Sequence, residues 1–71
     1  MSAYRVTYPD GEQVTVDAEH DLAAVRVARF VRGETASPYQ PLGSVTVRVR
    51  DGVTTVRLNY TGDTYAVERV P

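Results

Sequence analysis

The sequence predicts a single small α+β domain spanning residues 1–71, a two-layer ββαβββ arrangement with one helix packed on a mainly antiparallel five-stranded sheet. Three observations predict it. Two stretches alternate apolar and polar residues on either side of a glycine turn, and between them the apolar residues recur with the helical period. A chain of 71 residues has room for one such domain and no more.

The first alternating stretch runs from Ala3 to Tyr8 and resumes from Glu12 to Asp17. Pro9-Asp10-Gly11 between them suits a three-residue loop, a type I turn with Gly11 in the left-handed region. With Tyr8 opposite Glu12, Val6 meets Val14 and Tyr4 meets Val16, giving one apolar face.

A helix is expected from about His20 to Arg32. Ala24, Val27, Ala28 and Val31 form its core stripe, widened by Ala23 and Phe30. Asp17, Glu19 and Asp21 gather at its start and Arg26, Arg29 and Arg32 toward its end, which complements the helix dipole. Gly33 is a suitable left-handed stop.

Residues 33–43, GETASPYQPLG, have no period and read as a long loop. The stretch Ser44–Tyr60 is the clearest hairpin in the chain. Asp51-Gly52 favours a two-residue type I′ turn, which sets Arg50 opposite Val53, Val47 opposite Val56 and Val45 opposite Leu58. A one-residue slip would mix the two faces, so the register is well determined. After the turn signal Thr61-Gly62-Asp63, Thr64 to Val70 forms a last strand with Tyr65 and Val67 facing the core. With Gly62-Asp63 as the loop, Glu68 falls opposite Arg57. Two strand orders fit, 2-1-3-4-5 and 2-1-5-4-3. A β-grasp arrangement shares the opening ββα but requires the fifth strand parallel to the first. The chain ends in Arg69-Val70-Pro71, not the Gly-Gly tail of β-grasp conjugation modifiers.

The expected core comprises Tyr4, Val6, Val14, Val16, Ala24, Val27, Ala28, Val31, Val45, Val47, Val49, Val56, Leu58 and Val67, with Phe30 and Tyr65 at its edge. By parity, four of the five tyrosines point inward and Tyr39 sits in the loop.

Composition narrows the function classes. A hydrophobic content of 42% and a charged content of 24% suit an ordinary globule. No apolar run approaches the ~20 residues of a membrane span, and the amino terminus lacks the layout of a signal peptide, so a cytoplasmic protein is expected. The absence of cysteine excludes disulfides, zinc-thiolate sites and thiol chemistry. All eight basic residues are arginine, and thirteen valines stand beside no isoleucine, the codon bias of a GC-rich genome. A high-GC bacterium or one of its phages fits that bias. Thermophile proteomes, by contrast, are enriched in lysine. A net charge of −1 provides no global field to hold nucleic acid or an anionic membrane.

No catalytic, cofactor or metal site is expected. Asp17, His20 and Asp21 could converge on a divalent cation on a continuous helix, but Asp17 belongs to the strand or cap, and such acids ordinarily satisfy free amide groups. Ser2, Ser37 and Ser44 lack a nucleophile-elbow glycine pattern, and there is no phosphate-cradling glycine loop.

The candidate interaction residues are of two kinds. Leu22, Val25, Arg26, Arg29 and Arg32 form an arginine-aliphatic face opposite the core stripe, resembling the composition of an interface core, and Tyr39 between two prolines is a plausible exposed anchor. Arg5, Arg48, Arg50 and Arg57 lie on the outer sheet face and are the alternative, a nucleic-acid contact. Sheets that bind single strands normally present aromatics for stacking, so nucleic acid is the less favoured partner. The expected function is that of a non-enzymatic accessory protein acting by protein–protein contact. Behind the nucleic-acid module stands a binder of a small anionic ligand at an oligomer interface. A homodimer is expected because so short a chain buries only about 60–65% of its unfolded surface, through the helix face or the last strand.

Overall fold

The computed structural model describes all residues, 1–71. The elements follow in the order β1 (Ser2–Thr7), β2 (Gln13–Ala18), α1 (Asp21–Val31), β3 (Val45–Arg50), β4 (Val53–Leu58) and β5 (Thr64–Arg69). They form one sheet of order β2-β1-β5-β4-β3 in which every neighbouring pair is antiparallel. Of the two expected orders, the second is the one adopted. The fifth strand inserts beside the first, with Val6 opposite Val67 and Arg5 opposite Glu68. That antiparallel contact distinguishes the fold from a β-grasp. It also places β5 in the interior, so the last strand offers no free edge for a dimer.

Both hairpins keep their expected registers. Tyr8 and Glu12 close the first, where the Tyr8 N–H donates to the Glu12 carbonyl at 2.7 Å and Gly11 has φ 91°. Asp51 and Gly52 both have positive φ, 52° and 77°, as a type I′ turn requires. The β4–β5 connection differs. Arg57 pairs with Thr64, and Glu68 lies opposite Val53 on that side, not Arg57. The turn is longer because the Leu58 carbonyl accepts from both Thr61 and Gly62, which closes a wider loop before Asp63 rejoins the ladder. Glu68 finds its arginine on the other neighbour, where Arg5 Nη1 lies 2.9 Å from its Oε1.

The helix starts and stops by local chemistry. His20 is its extended N-cap, and Nδ1 accepts from the Ala23 N–H at 3.2 Å. At the other end, the Glu34 N–H bonds to the Arg29 carbonyl and the Gly33 N–H to that of Phe30. Together they form a Schellman pair around Gly33 at φ 75°.

The rotation of the helix is the main correction to the expected core. Ala24, Val25 and Ala28 are fully buried, whereas Val31 is 58% exposed and Phe30 half exposed. The packed stripe therefore passes through Val25, which is not on an exposed face. The helix lies over β2, β1 and β5. On β3, beyond it, Val47 and Val49 are exposed, while Val45 packs against the rim of the core. Tyr8, Ala18, Ala23 and Leu42 join the core, and Tyr65 is buried rather than at its edge. Leu42 reaches inward because the long loop returns across the domain, whereas Tyr60 in the lengthened turn points out.

Candidate functional site

Two of the three helix arginines are used within the fold. The Arg32 guanidinium sits 4.2 Å over the Tyr8 ring, and its Nη2 lies 2.6 Å from Asp10 Oδ2 in the first turn. That hydrogen bond, and a second from the Glu12 amide, hold the Asp10 carboxyl below its ordinary range. Beneath the guanidinium, the Tyr8 hydroxyl donates to the Ala28 carbonyl at 2.6 Å. Arg29 Nη1 donates to the Tyr60 hydroxyl at 3.3 Å. Its Nε, 3.5 Å from Glu34 Oε2, is within ion-pair reach but has no hydrogen-bond partner. Glu34 instead accepts from the Tyr65 hydroxyl at 3.0 Å. Burial and that carboxylate push Tyr65 up to about 12. Tyr8 and Tyr65 meet edge to face, 6.0 Å apart. This end of the domain is a structural clasp joining the helix to both flanking turns.

Arg26 is different. It forms no ion pair, and its Nε is buried without a hydrogen-bond partner. It lines a groove of about 470 Å³ between the helix, the end of β2 and the long loop. Ala23, Val27, Phe30 and Val31 line the same groove from the helix, Asp17, Ala18 and Glu19 from the end of β2, Pro38 and Tyr39 from the long loop, and Met1 from the terminus. Met1, Phe30, Val31 and Tyr39, four of the exposed large apolar residues of the molecule, all converge here. Clustering of this kind marks an interaction surface more strongly than scattered exposed residues do.

Of the six interface residues expected from sequence, the groove therefore contains Arg26 and Tyr39. Val25 is in the core, Leu22 packs at its margin, and Arg29 and Arg32 belong to the clasp. Val27 packs against the core, as its place in the apolar stripe of Ala24 and Ala28 predicts, and lines the groove as well, whereas Val31, expected in the core, and Phe30, expected at its edge, are exposed in the groove. The alanines were the better guide to the packed face, since small residues mark where the backbone comes closest to the sheet.

The acidic start of the helix is resolved into separate roles. Asp17 is exposed on β2 and His20 caps the helix. Asp21 accepts from the Leu22 N–H and, through its other oxygen, from the Thr54 hydroxyl at 2.9 Å. No group of three metal-ligating side chains is assembled. Ser37 and Ser44 accept from the Tyr39 amide and the Asn59 side chain. On the outer face Arg5 is paired with Glu68, Arg50 lies 3.8 Å from Asp51, and Arg48 and Arg57 project from β3 and β4. No helix is long and apolar enough to cross a membrane. Compared with known proteins, the chain matches no family model, no curated protein and no solved structure.

Proposed function

We propose that this chain is a small non-enzymatic accessory protein, cytoplasmic and of bacterial or phage type, that binds a partner protein in the groove beside its helix. The observation that carries the reading is the convergence of Phe30, Val31, Tyr39 and Met1 around the unpaired Arg26. Val27, Phe30 and Val31 repeat at the i, i+3, i+4 spacing that one amphipathic helix presents to another. The partner segment is thus an apolar helix face carrying a carboxylate or carbonyl for Arg26. Asp17 and Glu19 at the groove's end favour a basic residue at the matching end of that segment. Arginine-only basic composition supports the origin, and net charge −1 with paired or dispersed outer arginines supports a protein partner over nucleic acid.

Affinity capture from the native host tests it, with the wild-type chain, Phe30→Asp and Arg57→Glu as baits. A protein held by the first and third but depleted about tenfold by Phe30→Asp, then bound one-to-one when purified, is the expected result. Capture that is indifferent to Phe30→Asp, or lost equally with Arg57→Glu, overturns the reading.

A further inference from the structure

The sheet ends at β3 in an edge strand that no element other than β4 pairs or covers. On β3 the inner-facing residues Val47 and Val49 are 42% and 70% exposed, because the helix covers that face only over β2, β1 and β5. The opposite edge, β2, has the helix over its inner face, and Glu12, Asp17 and Glu19 at its ends. β3 has no proline, no bulge and no inward-pointing charge, three of the devices by which edge strands ordinarily avoid pairing; its two charges, Arg48 and Arg50, both lie on the outer face, where they limit which registers a pairing strand can take.

The ladder with β4 decides which backbone groups face outward. The Asn59 N–H donates to the Ser44 carbonyl at 3.0 Å, so Ser44 turns its polar groups toward β4. Antiparallel alternation gives Thr46, Arg48 and Arg50 the same direction and leaves the N–H and C=O groups of Val45, Val47 and Val49 pointing to the free edge.

We infer that β3 pairs antiparallel with β3 of a second copy, about a two-fold axis at Val47, making one continuous sheet through the dimer. In that register Val47 faces its own copy and Val45 faces Val49, so every outward polar group of the three valines finds a partner. Their side chains close into one apolar patch on the inner face. On the outer face, Arg48 falls opposite Thr46 and Arg50 opposite Ser44, which keeps the arginines apart and gives them hydroxyls as neighbours. An axis at Arg48 would oppose that arginine with itself, and one at Val49 would oppose Arg48 with Arg50, both repulsive. An axis at Thr46 would leave Val49 opposite Gly43, outside the strand. The register at Val47 alone satisfies backbone, valines and charge together. The surface is distinct from the groove and leaves it free for a partner.

Light scattering after size exclusion, with the chain at about 100 μM, reads the first outcome. Wild-type protein should have twice the 7.8 kDa mass of the chain, and Val49→Lys should return it to that mass. Val49 is exposed enough for the variant to keep the wild-type circular dichroism. Phe30→Asp should leave the dimer intact. A monomeric wild type overturns the inference, as does a dimer lost with Phe30→Asp but kept with Val49→Lys. The register has its own test, since the chain contains no cysteine. Under mild oxidation Val47→Cys should form a covalent dimer at least about tenfold faster than Val45→Cys or Val49→Cys, because only the residue on the axis meets its own copy within disulfide reach. Equal rates at the three positions overturn the assigned axis.

Discussion

The β1–β2 hairpin and the β3–β4 hairpin share a period-two pattern, valines on the inner face and a glycine-bearing turn, yet their outer members differ in burial. Val16 on β2 is buried, whereas Val47 and Val49 on β3 are open to solvent. The difference is one of reach. Five strands spaced about 4.8 Å apart make a sheet roughly 19 Å wide, while a helix with its side chains is about 10–12 Å across. One helix cannot cover such a sheet. Here it sits over β2, β1 and β5, held there by the clasp of Arg32 with Asp10 and Tyr8 and of Glu34 with Tyr65. Alternation therefore determines which side chains face inward, but the helix position determines which of them are buried. The half it leaves open is where a second copy can add what the chain lacks.

The largest expected effect breaks that comparison on the helix itself. Val25→Asp places a carboxylate in the fully buried layer and should destabilise the fold by about 4 kcal/mol or more, enough to unfold so small a domain. Val31→Asp, on the groove side, should stay within about 0.5 kcal/mol of wild type. Urea titration followed by circular dichroism separates them, and equal losses would show that the helix is not seated through Val25.

Next in size is overpacking. Ala28 is fully buried against the sheet and its carbonyl accepts from Tyr8. Ala28→Leu should cost on the order of 1–3 kcal/mol, while Val49→Leu on the open half should cost less than about 0.5 kcal/mol. A Tm for Ala28→Leu at or above the wild-type value would place the close approach elsewhere.

Alkaline titration sharpens the account of the clasp. Tyr65 releases its proton near its ordinary value of 10 when unfolded but is pushed up to about 12 in the fold, first by burial and then by Glu34. Burial raises Tyr8 as well. The folded state then binds more protons than the unfolded one, so this contribution is complete below pH 10, declines as pH rises and is gone above about 12. Tm measured across that window should fall, and Tyr65→Phe should flatten the decline. A wild-type Tm that holds level through the window would exclude a buried, neutral Tyr65.

The smallest effect lies at the exposed turn. Arg32 and the Glu12 amide keep the Asp10 carboxyl below its ordinary value of 3.8, so its contribution is present above that pH and is lost as pH falls through the lower folded value. Asp10→Asn should lower Tm slightly at pH 7, and added salt should shrink the difference, since the pair is solvent-screened. A loss that persists in high salt would indicate that the turn geometry, rather than the charge, had been disturbed.

What was legible in sequence is local. Asp51-Gly52 and Pro9-Asp10-Gly11 set the turns, and each turn sets the register of its hairpin through contacts a few residues apart. His20 and Gly33 bound the helix in the same way. The groove was half legible: Arg26 and Tyr39 stood out by type, whereas Phe30 and Val31 were indistinguishable from core residues by period alone.

The order of the strands, the rotation of the helix and the partner of Glu68 depend on contacts between distant segments. Once β5 entered between β1 and β4, Glu68 gained Arg5 as its partner, the longer β4–β5 turn having already moved it away from Arg57, and the last strand lost its edge while β3 gained one. Sequence alone thus settled the elements, the inward faces of the strands and the two hairpin registers, because turn geometry and side-chain periodicity act within a few residues. Which inward faces are covered was settled by assembly, because one narrow helix must choose a position over a sheet wider than itself, and the clasp at Tyr8, Arg32 and Glu34 makes that choice.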